Sequence, residues 1–259
     1  MKIFAYFRVL YRAPMALLWT LFIHYFFIRS QQIFKPKKRC VNMLRIWGAG
    51  FAWIMGVRIR KVNEKPDVMG DLIISNHMGF VDIPILLASF PAVFVIKVEL
   101  GRAPFFGKRL YEQEHIFVER DSNASRNNAA KGIMKALKAG SRVIVFPEGQ
   151  GNPIADRLPY APGSLAVAKR LRKTVQPVII DYLPDRRALE WDINRKVLPQ
   201  VIELFGRWRT HVCIEYLPAV PVGDPEEDAE KYRKLAEDRL REHDADRDGR
   251  PSLPPVRID

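Results

Sequence analysis

The chain has 259 residues, 48% of them hydrophobic and 27% charged, ordinary values for a folded protein with a sizeable core that set aside a disordered chain. Its net charge of +13 is uneven: residues 1–65 hold thirteen Lys and Arg against one acid, Glu64, and the remainder is close to neutral. A basic block this rich in Phe, Trp and Tyr suits a membrane surface or a nucleic acid, and the continuous apolar run inside it favours the membrane.

Met1 to Arg12 alternates apolar and basic residues, and Pro14 is expected to open a helix at its first turn. Met15 to Ile28 is almost wholly apolar, broken by His24. A spanning helix needs about 20 apolar residues, and this run is shorter unless its aromatic and basic flanks contribute; an interfacial or re-entrant helix with Arg29, Lys35, Lys37, Lys38 and Arg39 at the headgroups fits at least as well. Arg29-Ser30-Gln31-Gln32 follows it rather than a small-residue cleavage site, so no cleavable signal peptide is expected. A second helical stripe comprises Val41, Leu44, Trp47, Phe51, Ile54 and Met55. Two cysteines, Cys40 and Cys213, make no disulfide framework and suit a reducing compartment.

From Val57 the period becomes two, the mark of an edge strand. A buried strand begins at Leu72 and ends in Asn76-His77, and Val81 to Leu87 opens a helix. His77 therefore stands at the carboxyl end of a strand, where α/β sheets present their chemistry. Asp82 can reach back to the far ring nitrogen, fix the tautomer and stabilise the imidazolium once a proton arrives. No Ser or Cys occupies a nucleophile elbow, and no second histidine lies at metal-ligand spacing. The pair reads as a general base acting on a substrate hydroxyl, or else as a helix-capping pair. Further strands are expected at Ala92–Lys97, His115–Val118, Arg142–Phe146, Val175–Asp181 and His211–Leu217, with helices at Ala124–Ala139, Ser164–Leu171 and Asp224–His243.

Four more blocks join the Asn76-His77…Asp82 stretch. They are Lys97-Val98-Glu99-Leu100 with Pro104-Phe105-Phe106-Gly107; Ile116-Phe117-Val118-Glu119-Arg120; Phe146-Pro147-Glu148-Gly149; and Val175-Gln176-Pro177-Val178-Ile179. In this order, over roughly residues 73 to 180, they resemble the glycerolipid acyltransferase family, typified by 1-acyl-glycerol-3-phosphate acyltransferase. The resemblance implies a mixed, largely parallel α/β sheet with helical crossovers behind an amino-terminal two-helix unit that partly enters one leaflet. It implies an acyl thioester donor, on coenzyme A or acyl carrier protein, a lysophospholipid acceptor and no cofactor. His77 is then the base and Asp82 its partner, while Asn76, Lys97, Arg120, Glu148 and Gly149 are the expected substrate-binding positions; backbone N–H groups near the strand-ending turns are the candidates to receive the oxyanion. Arg120, expected to end a strand beside the one that carries His77, would fork onto a phosphate and Lys97 would add a point charge; the other reading has both capping the sheet or pairing with Glu99, Glu119 or Asp121. Glu148 either helps hold the acceptor and the turn or makes a structural hydrogen bond.

Two positions depart from the family pattern. Gly79 stands where Ser or Thr is usual, at the cost of a helix-capping hydroxyl. Gln150-Gly151-Asn152 replaces Thr followed by Arg or Ser, so a phosphate contact is missing that Arg157 could supply. The expected organisation is a membrane-binding helical unit over 1–56, the acyltransferase domain over 57–243 and a disordered tail from 244. The expected place is the cytoplasmic face of a membrane. The first reading of the reaction is acylation of 1-acyl-glycerol 3-phosphate to phosphatidate; the alternatives are another acceptor such as lyso-ornithine lipid, or a non-catalytic membrane-binding protein. Nucleic-acid binding by the basic block would leave the five blocks unexplained, so no nucleic-acid partner is expected.

Overall fold

The computed structural model describes residues 2–34, 37–63, 69–102, 115–119, 122–149, 158–183, 192 and 195–247. Its strands are β1 (Val57–Lys61), β2 (Leu72–Ser75), β3 (Ala92–Lys97), β4 (Ile116–Val118), β5 (Arg142–Val145), β6 (Thr174–Leu183), β7 (Thr210–Tyr216) and β8 (Val220–Pro221). Its helices are α1 (Lys2–Phe34), α2 (Lys37–Ile54), α3 (Asp82–Ser89), α4 (Val98–Gly101) and α5 (Asn123–Lys138). Three more follow: α6 (Gly163–Arg170), α7 (Val197–Gly206) and α8 (Pro225–Arg247).

The strands form one mixed sheet in the order β1-β7-β6-β2-β5-β3-β4, with β8 beside the start of β6. Five neighbours, β6, β2, β5, β3 and β4, are mutually parallel. β7 runs antiparallel to β6, and β1 is parallel to β7. Every residue of β2 is buried because helices cover both faces, which is why the sequence shows an unbroken apolar run there. α1, α2, α3 and α7 pack one face, while α5, α6 and α8 pack the other. β1 is the edge strand its alternation suggested, with only Val57 buried.

The amino-terminal helices share the main hydrophobic cluster with the sheet: Leu44, Phe51 and Met55 of α2 lie in it with Ile85, Leu86 and Ile144. α2 approaches α3 so closely that a Cβ on Gly48 would lie 2.5 Å from the Pro84 carbonyl oxygen, so glycine is required there. α1 and α2 are cross-linked by their tryptophans. Trp19 Nε1 donates to the Trp47 carbonyl at 3.0 Å, and Trp47 Nε1 donates to Thr20 Oγ1 at 3.0 Å.

Pro14 does not open the first helix, as the sequence suggested; it lies inside α1, which starts twelve residues earlier at Lys2. A proline there removes one helical hydrogen bond. The segment is held from outside instead, by the buried guanidinium of Arg12. Its Nη1 donates to the carbonyls of Met55 (3.2 Å), Phe205 (3.1 Å) and Arg207 (2.5 Å), and Nη2 to that of Trp208 (3.1 Å). Phe205 and Met55 lie at the last turns of α7 and α2, where helix carbonyls lack intrahelical partners and the dipole favours a cation. Arg8 Nε adds a bond to the Gly206 carbonyl at 2.7 Å. At the other terminus α8 continues to Arg247, so the disordered tail expected from Asp244 cannot begin before 248, and 248–259 lie outside the described residues.

Replacing Arg12 by Met keeps most of the stem but leaves four carbonyls short of a donor. It should cost about 2–4 kcal/mol of stability. Urea unfolding of the Arg12→Met protein measures this, and an unchanged midpoint would contradict the clamp.

Candidate active site

His77 is the second residue after the end of β2, and Asp82 is the first residue of α3. Asp82 is 0% exposed, yet it is surrounded by donors. Its Oδ2 meets His77 Nδ1 at 2.8 Å and accepts from the backbone N–H groups of Met78 at 2.7 Å and Gly79 at 2.9 Å. Its Oδ1 accepts from the hydroxyl of Tyr182, near the end of β6. A carboxylate oxygen that faces backbone N–H groups acts as an acceptor. The proton between Asp82 and His77 therefore belongs to Nδ1, which leaves Nε2 as the acceptor for a substrate proton. The bond from Gly79 is a local side-chain-to-backbone bond that orders the turn into α3.

The ring plane is fixed separately. Phe146 stacks on His77 with centroids 4.0 Å apart and planes 12° from parallel, and Phe94 backs Phe146 at 5.6 Å. Register accounts for this: β5 pairs with β2 so that Val145 faces Ile74, and Phe146 comes next. The His77 side chain is 18% exposed, enough for Nε2 to meet a hydroxyl from outside.

Glu148 and Gly149 lie in the turn that follows Phe146. Gly149 adopts φ +78°, a conformation that favours glycine, and its N–H bonds to the Phe146 carbonyl at 3.0 Å. Glu148 is buried beside it. Lys97 ends β3 and is half-buried, on the same carboxyl edge as His77 but with β5 between their strands.

Three expectations change. Asn76 is buried with both amide atoms engaged: Nδ2 donates to the Ile180 carbonyl and Oδ1 accepts from the Ile180 N–H, each at 2.8 Å. That makes it a staple between β2 and β6, which does not fit the substrate contact expected of it. Arg120 falls outside the described residues, and the strand before it, β4, is the edge strand three positions from β2 rather than its neighbour. Gln150 and Arg157 also fall outside them. Thirdly, the N–H groups of Met78, Gly79 and Gly149 are already engaged, so these strand-end amides are not free to receive an oxyanion.

Sequence reasoning missed Tyr182 and Phe146, which reach the pair from 100 and 69 positions away along the chain. A polar ring at the end of the apolar run 175–181 was the available signal for Tyr182. A second pair, His243 Nδ1 and Asp181 Oδ2 at 3.0 Å, was missed as well. It resembles the first but is sealed, with side chains 3% and 0% exposed, and it fastens α8 to β6. Among the described residues no three His, Cys, Asp or Glu side chains gather as metal ligands would.

A largely parallel sheet with a His–Asp pair at its carboxyl edge is the arrangement that the resemblance implied. Residues 56–181 match the family described as Acyltransferase. A lyso-ornithine lipid O-acyltransferase of Rhizobium meliloti (strain 1021) is 26% identical over 220 residues, covering 76% of this chain and 75% of that protein. A 1-acyl-sn-glycerol-3-phosphate acyltransferase of Helicobacter pylori is 27% identical over 133 residues, which is 50% of this chain and only 56% of that relative. The solved structure of the 1-acyl-sn-glycerophosphate acyltransferase PlsC from Thermotoga maritima superposes with a TM-score of 0.59 at 20% identity, covering 89% of this chain and 97% of that one. The fold is the same.

His77→Ala should abolish acyl transfer, a loss of about 10²–10⁴-fold or more, while leaving the fold intact. Asp82→Asn should cost less in rate if the pocket is retained, although it also disturbs the donors that Asp82 holds. Turnover of purified His77→Ala above a tenth of the wild-type rate would overturn the assignment of the base.

Proposed function

We propose that this protein transfers a fatty acyl group from an acyl thioester to the free hydroxyl of a lysolipid. The observation that carries the reading is the His77–Asp82 pair, with Nδ1 bonded inward and Nε2 left for substrate at the carboxyl edge of the sheet. His77 Nε2 removes the hydroxyl proton as the oxygen attacks the thioester carbonyl carbon. Asp82 stabilises the imidazolium that forms. When the tetrahedral adduct collapses, the carbon–sulfur bond breaks, the thiolate leaves and His77 returns the proton to sulfur. The products are an ester and a free thiol, on coenzyme A or acyl carrier protein. No covalent acyl-enzyme and no cofactor enter this sequence.

Lysophosphatidate is our first acceptor, with phosphatidate as product, Arg120 as the phosphate ligand and Lys97 as a second cation. Lyso-ornithine lipid is the second. It is supported by the length of the match to the Rhizobium protein and by Gln150-Gly151-Asn152, which lacks the usual Thr and Arg or Ser. The setting we propose is the cytoplasmic face of a membrane. In its support, α1 carries many exposed large apolar side chains, among them Ile3, Phe4, Phe7, Leu10 and Leu18. Among the described residues no helix is long and apolar enough to cross a membrane, so the contact we propose is interfacial.

An acceptor panel assayed with labelled acyl-coenzyme A and acyl carrier protein tests the reading directly. On it, Arg120→Lys should weaken lysophosphatidate use, because a forked contact becomes a single point contact. Gln150→Thr should preserve or improve lysophosphatidate use if that is the native acceptor, and should impair activity if Gln150 reads another headgroup. Unchanged lysophosphatidate kinetics in Arg120→Lys would make lyso-ornithine lipid the preferred acceptor.

A further inference from the structure

We propose that Tyr182 is a positioning residue for the reaction, setting the basicity of His77 through the hydrogen bond from its hydroxyl to Asp82. The proposal rests on the role of His77 as base, but not on which lysolipid is the acceptor. Tyr182 is wholly buried on β6, and its ring lies in the main hydrophobic cluster beside β2 and α3. Packing alone would be served by phenylalanine. The hydroxyl instead reaches Asp82 Oδ1, the oxygen that His77 does not use.

The donors divide unevenly between the two oxygens. Oδ2 is tied to residues 77, 78 and 79, all on the turn that leads into α3. Those bonds move with that turn and cannot set its position against the sheet. The hydroxyl of Tyr182 is the one donor to this carboxylate, among the described residues, that comes from outside the 77–82 segment. It fixes the carboxylate relative to β6, the same strand to which Asn76 is stapled through Ile180. β6 thus holds both ends of the segment that carries His77, at Asn76 through the side-chain amide bonded to the Ile180 backbone and at Asp82 by a phenol.

The electrostatic consequence follows from the sharing of charge. A phenol donor draws negative charge toward Oδ1 and weakens the pull of Oδ2 on the Nδ1 proton. Removing that donor, with everything else in place, strengthens the pull and favours the imidazolium. His77 then keeps its proton to higher pH and is a poorer base near neutrality. Other ionisable groups at this edge among the described residues include Glu148, after β5, Lys97, the last residue of β3, and Glu119, after β4. Arg12 is committed to carbonyls at the ends of α2 and α7. All of these are the same with and without the hydroxyl, so a comparison of the two proteins isolates the hydroxyl.

The test is Tyr182→Phe, which keeps the ring and so the packing. The protonation of His77 is read without any acceptor, as the rate of carbethoxylation of the His77 peptide against pH, followed by mass spectrometry. We expect the midpoint to move to higher pH in Tyr182→Phe. With whichever lysolipid the wild type uses, we expect kcat to fall about tenfold and KM values to stay within about twofold. The acid limb of the kcat profile should move up with the modification midpoint. Identical midpoints and an unchanged kcat in folded Tyr182→Phe would overturn the proposal. Should that variant fail to fold, site-specific 3-fluorotyrosine at 182 gives the opposite perturbation, a stronger donor. The midpoint must then move to lower pH, and an unmoved midpoint overturns the proposal equally. If instead His77 modifies normally but no lysolipid is acylated, the acceptor reading has failed and the coupling between Tyr182 and His77 is still measured.

Discussion

The carboxylate of Asp82 is the point at which the separate parts of this fold meet. It is buried without any solvent exposure, a state that would drive a lone carboxyl to neutrality, and it remains an acceptor because four donors converge on it. They come from His77 just past β2, from the turn into α3 and from the far end of β6. Sheet order, register and helix start must all be correct before the group can exist. The pair is thus a product of the tertiary fold as much as of local sequence, although its two named members are only five residues apart.

A second consequence of the topology concerns access. β1 and β7 run opposite to β6, so their first residues, Val57 and Thr210, lie at the edge of the sheet that carries His77. Arg12 binds α1 to that edge by gathering the carbonyls just before each strand, at Met55 and at Phe205 to Trp208. The helix with the largest exposed apolar surface is therefore fastened at the catalytic end of the molecule. In the proposed interfacial setting, a lysolipid would have only a short path from the bilayer to Nε2. The exposed Trp208 ring, with Arg8 stacked over it at 5.6 Å, stands at the same edge.

Much of the fold was legible in the sequence because its parallel strands are buried on both faces and so appear as short apolar runs with polar ends. Ala92–Lys97 is a strand with the bounds expected of it, and most other elements fall within a few residues of expectation. Order across the sheet was not legible, and the placing of β4 beside β2 failed for that reason: adjacency is decided by the crossover helices, not by local pattern. Pro14 misled because a helix-opening residue and a tolerated interior proline look alike when the compensating contact, Arg12 to α7, lies nearly two hundred residues away. In the site, His77 and Asp82 were readable from spacing, and Gly149 from its turn. Asn76 was assigned a substrate contact because it adjoins the histidine, but its partner is a backbone on another strand. Tyr182 and Phe146 are ordinary core aromatics until register brings them to the pair.

The central claim is that Asp82 holds the proton of His77 on Nδ1 and leaves Nε2 bare for the acceptor hydroxyl. Nitrogen-15 NMR of histidine-labelled protein tests this most directly, with the His77 signals identified by their loss in His77→Gln. In the neutral state of the ring, the account predicts a protonated Nδ1 and an unprotonated Nε2. A neutral His77 carrying its proton on Nε2 would contradict it, because that ring could neither bond to Asp82 through Nδ1–H nor accept a proton from substrate.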